Sequence, residues 1–420
     1  MHSQQHDPQS LRDFATDVAA RLRGAGFEAL FAGGCVRDQL LGRAPKDYDV
    51  ATSAKPEEVE ATFSDAGTYT VPVGAAFGVI CIVDPKTKMQ VEVATFRSDG
   101  AYLDGRRPVN VTFSNPQEDA YRRDFTINGL FFNPETEQII DYVEGRKDLK
   151  NGVVRAIGDP AARFTEDKLR LLRAVRFTAT LGFILDEQTE SAIRQMPEAL
   201  RLVSAERVTG ELERMLLDPS RAAGLQMLHT LNLLAMLFPE AMQLPDPAQF
   251  TELLEEEAQL ADPSFPLALA PLLARVTDAD GTKDLAQQWR LSTRQATRTA
   301  WLVKHRHALH DAAHQSWPRL QRILIHEGRD ELIGWLAAEA ACGRAEPADL
   351  TYCRDRIAWP AEKLNPPPLL TGDDLVDAGF RPSKIFAELL ETTRDAQLEG
   401  QITTRAEAIQ YVKNLSPPSE

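Results

Sequence analysis

A Gly-Gly turn followed by two closely spaced aspartates constrains the fold of this chain more than any other feature. Gly33 and Gly34 end a short apolar run, and Asp47 and Asp49 precede the apolar residues of the next run. The pattern predicts a strand that enters the turn, a helix that begins there, and a second strand that carries both carboxylates. Because side chains two positions apart in a strand point to the same face, Asp47 and Asp49 should converge on one place.

Carboxylates and glycines in this arrangement are suited to phosphoryl transfer. Mg²⁺ prefers carboxylate oxygens together with substrate phosphates, and a pair of such ions can clamp an in-line displacement. Gly33 and Gly34 lack Cβ atoms, so their N–H groups can approach a ligand closely. Arg37, one helical turn further on, can reach a phosphate. An Asp-x-Asp pair alone is common on solvated strand edges, and it is the combination with the turn that indicates a nucleotide site.

Apolar periodicity predicts a small α/β region in the N-terminal part of the chain. Residues 11–24 have the spacing of an amphipathic helix, and 27–33 and 46–52 have the pattern of short strands. Residues 79–83 and 90–96 are predicted to pair as a hairpin. These elements place the two aspartates inside a sheet.

Glu92 is an acid inside a strand that otherwise has the pattern of a buried one. Val91 and Val93 face one side of the predicted strand, and Glu92 faces the other. Periodicity leaves two interpretations open, an exposed sheet face or a third carboxylate beside Asp47 and Asp49.

The chain changes character after the hairpin. Residues 97–113 are predicted to form a long polar loop, and loops of this length are usually functional or disordered. From about residue 160 the pattern is helical almost to the end. Proline-rich stretches at 243–248 and 359–368 indicate linkers.

Length, composition and net charge limit the class of protein to which this chain can belong. A chain of 420 residues with 26% charged residues is typical of a globular protein with several domains, and no apolar stretch is long enough for a membrane span. The formal net charge of -15 argues against general binding to nucleic acid. Arginines nevertheless cluster at 106–107, 122–123, 163–176 and 201–221, which predicts a localised RNA-binding surface.

Cysteine and histidine usage gives little sign of a metal centre. The cysteines show no Cys-x-x-Cys spacing, which indicates a reducing cytoplasm without disulfides or a cysteine zinc site: Cys35, Cys81, Cys342 and Cys353. Four histidines have a spacing that could hold a metal on a helix, although a solvated or RNA-facing helix is the favoured interpretation: His305, His307, His310 and His314. They lack the His-Asp pattern of an HD-type phosphohydrolase.

Ordered motifs between residues 30 and 221 resemble those of class II tRNA nucleotidyltransferases, which include CCA-adding enzymes and bacterial poly(A) polymerases. Residues 33–49 resemble the first motif, and residues 122–130 resemble the second, which contacts ribose and triphosphate. The family usually has alanine where Gly129 stands. Later matches are the hinge motif, the nucleotide-selecting motif and the neck-helix motif, at 145–149, 166–176 and 204–211.

The resemblance implies an α+β nucleotidyltransferase head with a DNA polymerase beta-like mixed sheet, followed by an all-α neck, body and tail. The implied boundaries are a catalytic head at 1–145, a nucleotide-selecting neck at 146–220, a body at 221–358 and an RNA-binding tail at 359–420. Residues 370–382 resemble the tail of CCA-adding enzymes, which grips the tRNA elbow.

The same resemblance implies roles for individual residues. Asp47 and Asp49 become the metal ligands, and Glu92 becomes the third catalytic carboxylate. The implied nucleotide-binding residues are Gly33, Gly34, Arg37, Arg123, Asp124, Asn128, Asp167, Arg170, Arg173 and Arg176. Protein side chains would then read the incoming base without a nucleic-acid template.

Asp167 and Arg170 are the implied readers of the base. Their three-residue spacing predicts a shared helix face, where a carboxylate and a guanidinium can imitate a Watson–Crick partner. Arg173 and Arg176 continue the stripe. A surface Asp–Arg pair is common in helices, and only the position in the family pattern favours the functional interpretation.

The implied activity is Mg²⁺-dependent addition of CCA to tRNA 3′ ends from CTP and ATP, in the cytoplasm and without membrane or DNA partners. The 97–113 loop favours an enzyme able to add adenosine. Poly(A) polymerase and the A-adding member of a split CC/A pair remain alternatives. A non-catalytic RNA-binding module would predict loss of Asp47, Asp49 or Arg123, and all three are present.

Overall fold

A computed structural model of the chain describes residues 7–64, 67–74, 77–100, 110–238, 247–382 and 384–415. The chain divides into two compact units, Met1–Met242 and Gln243–Glu420. The division coincides with the first proline-rich stretch, where the sequence predicts a linker. None of the helices in the described ranges is long and apolar enough to cross a membrane.

The first unit combines a mixed sheet with helices. Its strands are β1 Ala29–Ala32, β2 Asp49–Thr52, β3 Tyr69–Gly74, β4 Val79–Val83, β5 Gln90–Thr95, β6 Arg97–Asp99, β7 Val111–Phe113, β8 Leu130–Asn133, β9 Gln138–Asp141, β10 Val153–Val154 and β11 Ile184–Leu185. Its helices are α1 Pro8–Gly24, α2 Gly34–Leu40, α3 Pro56–Phe63, α4 Pro116–Tyr121, α5 Gly145–Asn151, α6 Pro160–Glu166, α7 Arg170–Leu181, α8 Glu187–Gln195, α9 Ala205–Leu216, α10 Arg221–Thr230 and α11 Leu234–Leu237. Thr126–Asn128 and Pro197–Leu202 are 3-10 helices.

The main sheet has the strand order β3-β4-β5-β2-β1-β8-β9. The central strands β2 and β5 run parallel, whereas the other neighbours are antiparallel. The predicted hairpin is present as β4 and β5. The mixed sheet with a helical remainder confirms the predicted α+β head followed by a mainly helical chain.

Helix α1 packs on this sheet through the face that its periodicity predicts. Leu11, Ala15, Val18, Ala19 and Leu22 are buried. Asp7 accepts a hydrogen bond from the Ser10 N–H and so caps the first turn. A second layer of the core lies around Leu30, Ala51, Phe96 and Phe131. These contacts fix the central strands, whose ends carry the candidate site.

Two features of the first unit differ from expectation. Residues 97–113 are not one continuous loop, because β6 and β7 pair as an antiparallel two-stranded sheet, while residues 101–109 lie outside the described residues. The predicted all-α neck also contains a short parallel pair, β10 with β11. Backbone pairing over two or three residues leaves too little periodicity in the sequence to be recognised.

Helices are the only regular secondary structure among the described residues of the second unit. Its helices are α12 Pro247–Gln259, α13 Phe265–Val276, α14 Ala279–Gln288, α15 Thr293–His305, α16 Trp317–Leu324, α17 Arg329–Ala341, α18 Pro347–Ile357, α19 Ala361–Leu364, α20 Gly372–Asp377, α21 Ile385–Leu398 and α22 Arg405–Leu415. One core surrounds the fully buried Trp335. A separate core joins Leu375, Leu389 and Val412 in the C-terminal helices.

Candidate active site

The Gly33 turn brings backbone and guanidinium groups together at the end of β1. Gly33 has a φ of 73°, and its N–H donates to the Leu130 oxygen at 3.0 Å. Helix α2 begins at the next residue. A Cβ on Gly33 would lie 2.8 Å from Nη1 of Arg123. The backbone conformation therefore requires glycine, and a side chain here would also displace the Arg123 guanidinium.

Asp47 and Asp49 lie on the same face, as predicted. Strand β2 begins at Asp49, so Asp47 precedes the strand and does not lie within it as predicted. Tyr48 between them is buried, whereas both aspartates are exposed to water. This alternation reproduces the period of an extended chain and directs both carboxylates away from the core.

Glu92 lies beside Asp49 in the sheet. The parallel pairing of β2 with β5 places the Cα atoms of Asp49 and Glu92 opposite each other. Glu92 is exposed between two buried valines. The two interpretations of Glu92 are therefore compatible. Its side chain lies on an exposed face of the sheet, and that position is also next to the paired aspartates.

The pKa of Asp49 is raised by its surroundings. Its side chain is accessible to water, yet protein atoms surround much of the carboxylate. Burial and the negative charges of Asp47 and Glu92 raise the pKa of Asp49 to about 7, and Arg123 acts in the opposite direction. Three carboxylates that repel one another form a donor set suited to a hard divalent cation.

Asp119 holds the two arginines of the second motif. Its Oδ1 accepts from Arg122 at 2.7 and 2.9 Å, and its Oδ2 accepts from Arg123 at 2.9 and 3.1 Å. Although burial opposes it, the charges of Arg123 and Arg122 keep the pKa of Asp119 below its ordinary value. Asp119 was not predicted from the sequence to belong to the site. Its i, i+4 spacing from Arg123 is the pattern that would have indicated this role.

A chain of hydrogen bonds runs from helix α2 to helix α7. Arg37 donates to the Asn128 side chain at 2.8 Å, and Asn128 donates to Oδ1 of Asp124 at 3.1 Å. Oδ2 of Asp124 accepts from Arg173 at 2.5 and 2.8 Å. Despite its burial, Asp124 keeps a pKa well below the usual range because Arg173 faces it. Four predicted nucleotide-binding residues are therefore one connected network.

The prediction that Asp167 and Arg170 share one face of a helix is wrong. Helix α6 ends at Glu166, Asp167 has an extended backbone with a φ of −137°, and α7 begins only at Arg170. The Asp167 carboxylate accepts the Leu169 N–H at 3.1 Å. An aspartate that caps a backbone amide in this way competes with continuous helix, which is why the helix is interrupted here.

Asp167 and Arg170 also have different partners. Asp167 forms two hydrogen bonds with Arg207 of α9, at 3.0 and 2.8 Å. Arg170 is buried, and it donates to Glu166 at 2.8 Å and to the Arg122 backbone oxygen at 3.0 Å. Arg170 thus joins α7 to the second motif. The Asp167 carboxylate is instead held in place by Arg207 of α9, the neck helix.

Arg173 and Arg176 meet the neck helix through Glu211. The buried Glu211 accepts from Arg176 at 2.6 Å and lies 3.6 Å from Arg173. The guanidinium groups of Arg173 and Arg176 lie over the Phe177 ring at 5.2 and 4.1 Å. Arg207 and Glu211 belong to the neck-helix motif, but the sequence did not assign them to the site.

Comparison with known proteins agrees with this architecture. A profile described as the Poly A polymerase head domain matches residues 29–155, and one described as a probable RNA and SrmB-binding site of polymerase A matches 182–244. The CCA-adding enzyme of Lactobacillus helveticus is 33% identical over 408 residues, which cover 96% of each chain. The CCA-adding enzyme of Geobacillus kaustophilus is 33% identical over 94% of this chain and 95% of its own length.

The chain belongs to the CCA-adding enzyme family. The crystal structure of the Bacillus stearothermophilus CCA-adding enzyme in complex with CTP aligns with a TM-score of 0.77 and 27% identity, over 98% of each chain. The Thermotoga maritima CCA-adding enzyme complexed with tRNA aligns with a TM-score of 0.65 at 21% identity, over 98% of this chain and 97% of its own, and indicates the shared fold.

Membership of the CCA-adding family brings an expectation of divalent metal chemistry. Nucleotidyltransferases of this kind work with a divalent cation. The donor set of Asp47, Asp49 and Glu92 fits such an ion, because it consists of carboxylate oxygens on one face, and burial together with the repulsion of Asp47 and Glu92 raises the pKa of Asp49.

The hinge motif of this CCA-adding family member is built around Thr126 and Asp148. The buried Asp148 accepts from the Thr126 hydroxyl at 2.8 Å and from Arg155 at 3.0 Å. A Cβ on Gly145 would lie 2.1 Å from the Thr126 backbone oxygen. Helix α5 can therefore pack against the second motif only if residue 145 is glycine.

Proposed function

We propose that this chain is a template-independent nucleotidyltransferase that adds CCA to the 3′ ends of tRNA from CTP and ATP. The observation that carries the proposal is the similarity to CCA-adding enzymes along nearly the whole chain, at 33% identity over 96% of its length. Similarity confined to the head would leave the substrate open, because many nucleotidyltransferases share such a head. Here the similarity extends through the second unit as well.

The proposed metal ligands are Asp47 and Asp49, and the proposed ion is Mg²⁺. When bound there, Mg²⁺ would neutralise the triphosphate and stabilise charge that develops on the reacting phosphate. Its hard character matches the all-oxygen donor set. Asp49 must be deprotonated to bind a cation, so its raised pKa links metal affinity to pH near neutrality.

Glu92 is proposed to orient the RNA 3′-hydroxyl beside the two aspartates. The hydroxyl oxygen forms a bond to the α-phosphorus, the bond from that phosphorus to the bridging oxygen breaks, and pyrophosphate leaves. The hydroxyl proton passes to a nearby carboxylate or to water. Correct placement of the two substrates contributes most to such a reaction, and the register of Asp49 with Glu92 supports this placement.

The triphosphate is proposed to bind at the Gly33 turn. The half-buried Gly34 begins α2, and Arg123 lies next to the buried Gly33. Arg37 is held by Asn128, and Asn128 by Asp124. The guanidinium groups can therefore meet phosphate oxygens without first being ordered, because protein partners already fix them.

The base is proposed to be read by Asp167 and Arg170, with Arg173 and Arg176 behind them. Asp167 retains acceptor capacity on Oδ2, since that oxygen accepts one bond from Arg207. The division into head at 1–145, neck at 146–220, body at 221–358 and tail at 359–420 belongs to the same proposal, and the separate C-terminal core supports a distinct tail. We place the reaction in the cytoplasm, and the four free cysteines support this.

A gel-resolved extension assay tests this function. Purified protein and Mg²⁺ would be mixed with tRNA lacking CCA, tRNA ending in CC, or an unstructured oligoribonucleotide, and with CTP, ATP or both. Addition that stops after C, C and A on the first tRNA is the expected result. A single A added only to the CC-ended tRNA would identify an A-adding specialist and contradict the proposal.

Poly(A) polymerase is the second candidate, because the matched head profile carries that description. It predicts long A tracts on any RNA, including the unstructured oligoribonucleotide. The same assay separates the two candidates, since only the CCA-adding reaction terminates by itself and requires a tRNA-shaped substrate.

A further inference from the structure

The second unit contains a cluster of metal-ligating side chains that the proposed nucleotidyl transfer does not use. Ligand atoms of His307, His310 and Glu339 all lie within 4.8 Å of one another. Nε2 of His310 is 2.8 Å from Oε2 of Glu339, and the rings of His307 and His310 meet edge to face at 4.9 Å.

We propose that His307, His310 and Glu339 form a binding site for a zinc-type divalent cation. Two imidazoles and one carboxylate are a donor set used for zinc in proteins, with a fourth tetrahedral position left to water or another ligand. Tetrahedral ligands at zinc distances stand about 3.3 Å apart. The His310–Glu339 contact of 2.8 Å is slightly shorter than this separation, and a ligand nitrogen of the exposed His307 lies within 4.8 Å of both partners.

The carboxylate of the trio is rigidly placed. Glu339 is buried on α17, and its Oε1 accepts from Nε of Arg306 at 3.2 Å. Arg306 packs on the ring of Trp335, which is fully buried. Arg306 thus orients one oxygen of Glu339 and leaves Oε2 directed at His310, which is the role of an outer-shell partner in metal sites.

The two histidines lie on a turn that other groups hold in place. Both main-chain N–H groups at Asp311 and Ala312 donate to the Asp349 carboxylate, at 2.9 and 2.8 Å. The Gln315 side chain donates to the backbone oxygens of Ala308 and His310, at 2.9 and 2.7 Å. Because the backbone between α15 and the next helical turn is fixed, a ligand need not order it.

The contact between His310 and Glu339 marks the place where the cation would lie. Nε2 of His310 and Oε2 of Glu339 are the two atoms that would coordinate it, and they now face each other in a hydrogen bond. With the cation bound, two bonds to the metal replace this hydrogen bond, and the ring N–H of His310 is carried by Nδ1.

The experiment uses the full-length protein after dialysis against a chelator. Zn²⁺ is titrated calorimetrically, and Co²⁺ is followed by its visible absorption, both in excess Mg²⁺ so that the carboxylates of the head are occupied. The expected result is one Zn²⁺ per chain and the strong absorption bands of tetrahedral Co²⁺. His307→Ala should weaken binding at least tenfold, and His310→Gln should do the same.

His314→Ala is the matched control. His314 is a histidine of the same segment, and it is exposed and paired with Asp311 outside the trio. It should bind the cation as the wild type does. Absence of a stoichiometric site, or equal affinity in His307→Ala and the wild type, would overturn the proposal. Because His307 is exposed, a loss of binding in His307→Ala with an unchanged melting temperature cannot be ascribed to unfolding.

Discussion

The carboxylate of Asp167 and the guanidinium of Arg207 form a two-pronged ion pair, with nitrogen–oxygen distances of 3.0 and 2.8 Å. Asp167 lies in the break between α6 and α7, and Arg207 lies in the first half of α9. The pair is partly buried, with exposed side-chain fractions of 18% and 22%. The neck helix therefore fixes the direction of the carboxylate that is proposed to read the incoming base.

The first prediction concerns this pair. Asp167→Ala and Arg207→Ala should both lower discrimination between CTP and ATP at least tenfold, or about 1.4 kcal/mol, with a smaller effect on tRNA affinity. Asp167→Ala removes the carboxylate that is proposed to accept from the base amine. Arg207→Ala leaves that carboxylate in place but no longer fixes its direction. The measurement is kcat/KM for each nucleotide on tRNA lacking CCA and on tRNA ending in CC.

Arg201→Ala removes an exposed arginine shortly before the same helix and serves as the control. It should keep the wild-type nucleotide preference. Wild-type selectivity in Asp167→Ala would exclude this residue from the pocket.

The second prediction concerns the paired aspartates. Asp47→Ala and Asp49→Ala should each lower nucleotide incorporation about 10³-fold or more, because each removes a ligand of the cation that neutralises the reacting phosphate. Both side chains are exposed, so the circular dichroism spectrum should stay unchanged. Asp13→Ala, an exposed acid on α1, should be fully active. Turnover near the wild-type rate in either site variant would refute the metal assignment.

The third prediction follows from the pKa of Asp49, which is raised to about 7. A carboxyl group with a raised pKa contributes stability below its unfolded pKa, and that contribution is lost as pH rises through about 7. Asp49→Asn removes the repulsion permanently. In the absence of divalent cations it should raise the melting temperature by about 2 °C at pH of about 8, an estimate that allows for solvent screening.

The same substitution should give a smaller gain at pH of about 5.5, because Asp49 is protonated in the folded wild type there while the carboxyl of the unfolded chain, with a pKa of about 3.9, is already ionised. Differential scanning fluorimetry with a chelator at both pH values provides the measurement. A gain of equal size at the two pH values would contradict the raised pKa. Asp13→Asn should show no gain at either pH.

The fourth prediction concerns Gly129 in the second motif. A Cβ at this position would lie 2.6 Å from Cγ2 of Val143 and 3.2 Å from Cδ1 of Ile157. Gly129→Ala should therefore destabilise the protein by about 1–3 kcal/mol through overpacking. Urea denaturation measures the difference.

Val143→Ala removes the conflicting methyl groups and tests the cause. The double variant should be more stable than the sum of the two single effects predicts, with a coupling of about 1 kcal/mol. Additive effects would show that Val143 is not what excludes alanine.

Local pattern was sufficient for the parts of the site that depend on one strand or one turn. The same-face relationship of Asp47 and Asp49 follows from the period of an extended chain, and the glycine requirement at the turn follows from its position between a strand and a helix. The hairpin of β4 and β5 was also predicted, because two alternating runs flank a short turn.

Partners that are distant in sequence were not predictable in the same way. Helical spacing placed Asp167 with Arg170, yet the aspartate caps the Leu169 amide and ends the helix, and its ionic partner is Arg207. The arginine clusters suggested a basic surface. In the structure, Arg122, Arg123, Arg173 and Arg176 are paired with buried acids, so their charge is largely compensated.

The sequence by itself determined which residue types carry the chemistry, because glycine turns, strand alternation and motif order are written in local spacing. Tertiary structure alone decided how these residues combine. Parallel pairing of β2 with β5 set Glu92 beside Asp49, packing of α9 supplied Arg207 and Glu211 to the nucleotide-selecting segment, and the buried Glu339 joined two histidines of another segment. These relationships depend on the register and packing of elements far apart in the chain, and such contacts leave no periodic signal in one sequence.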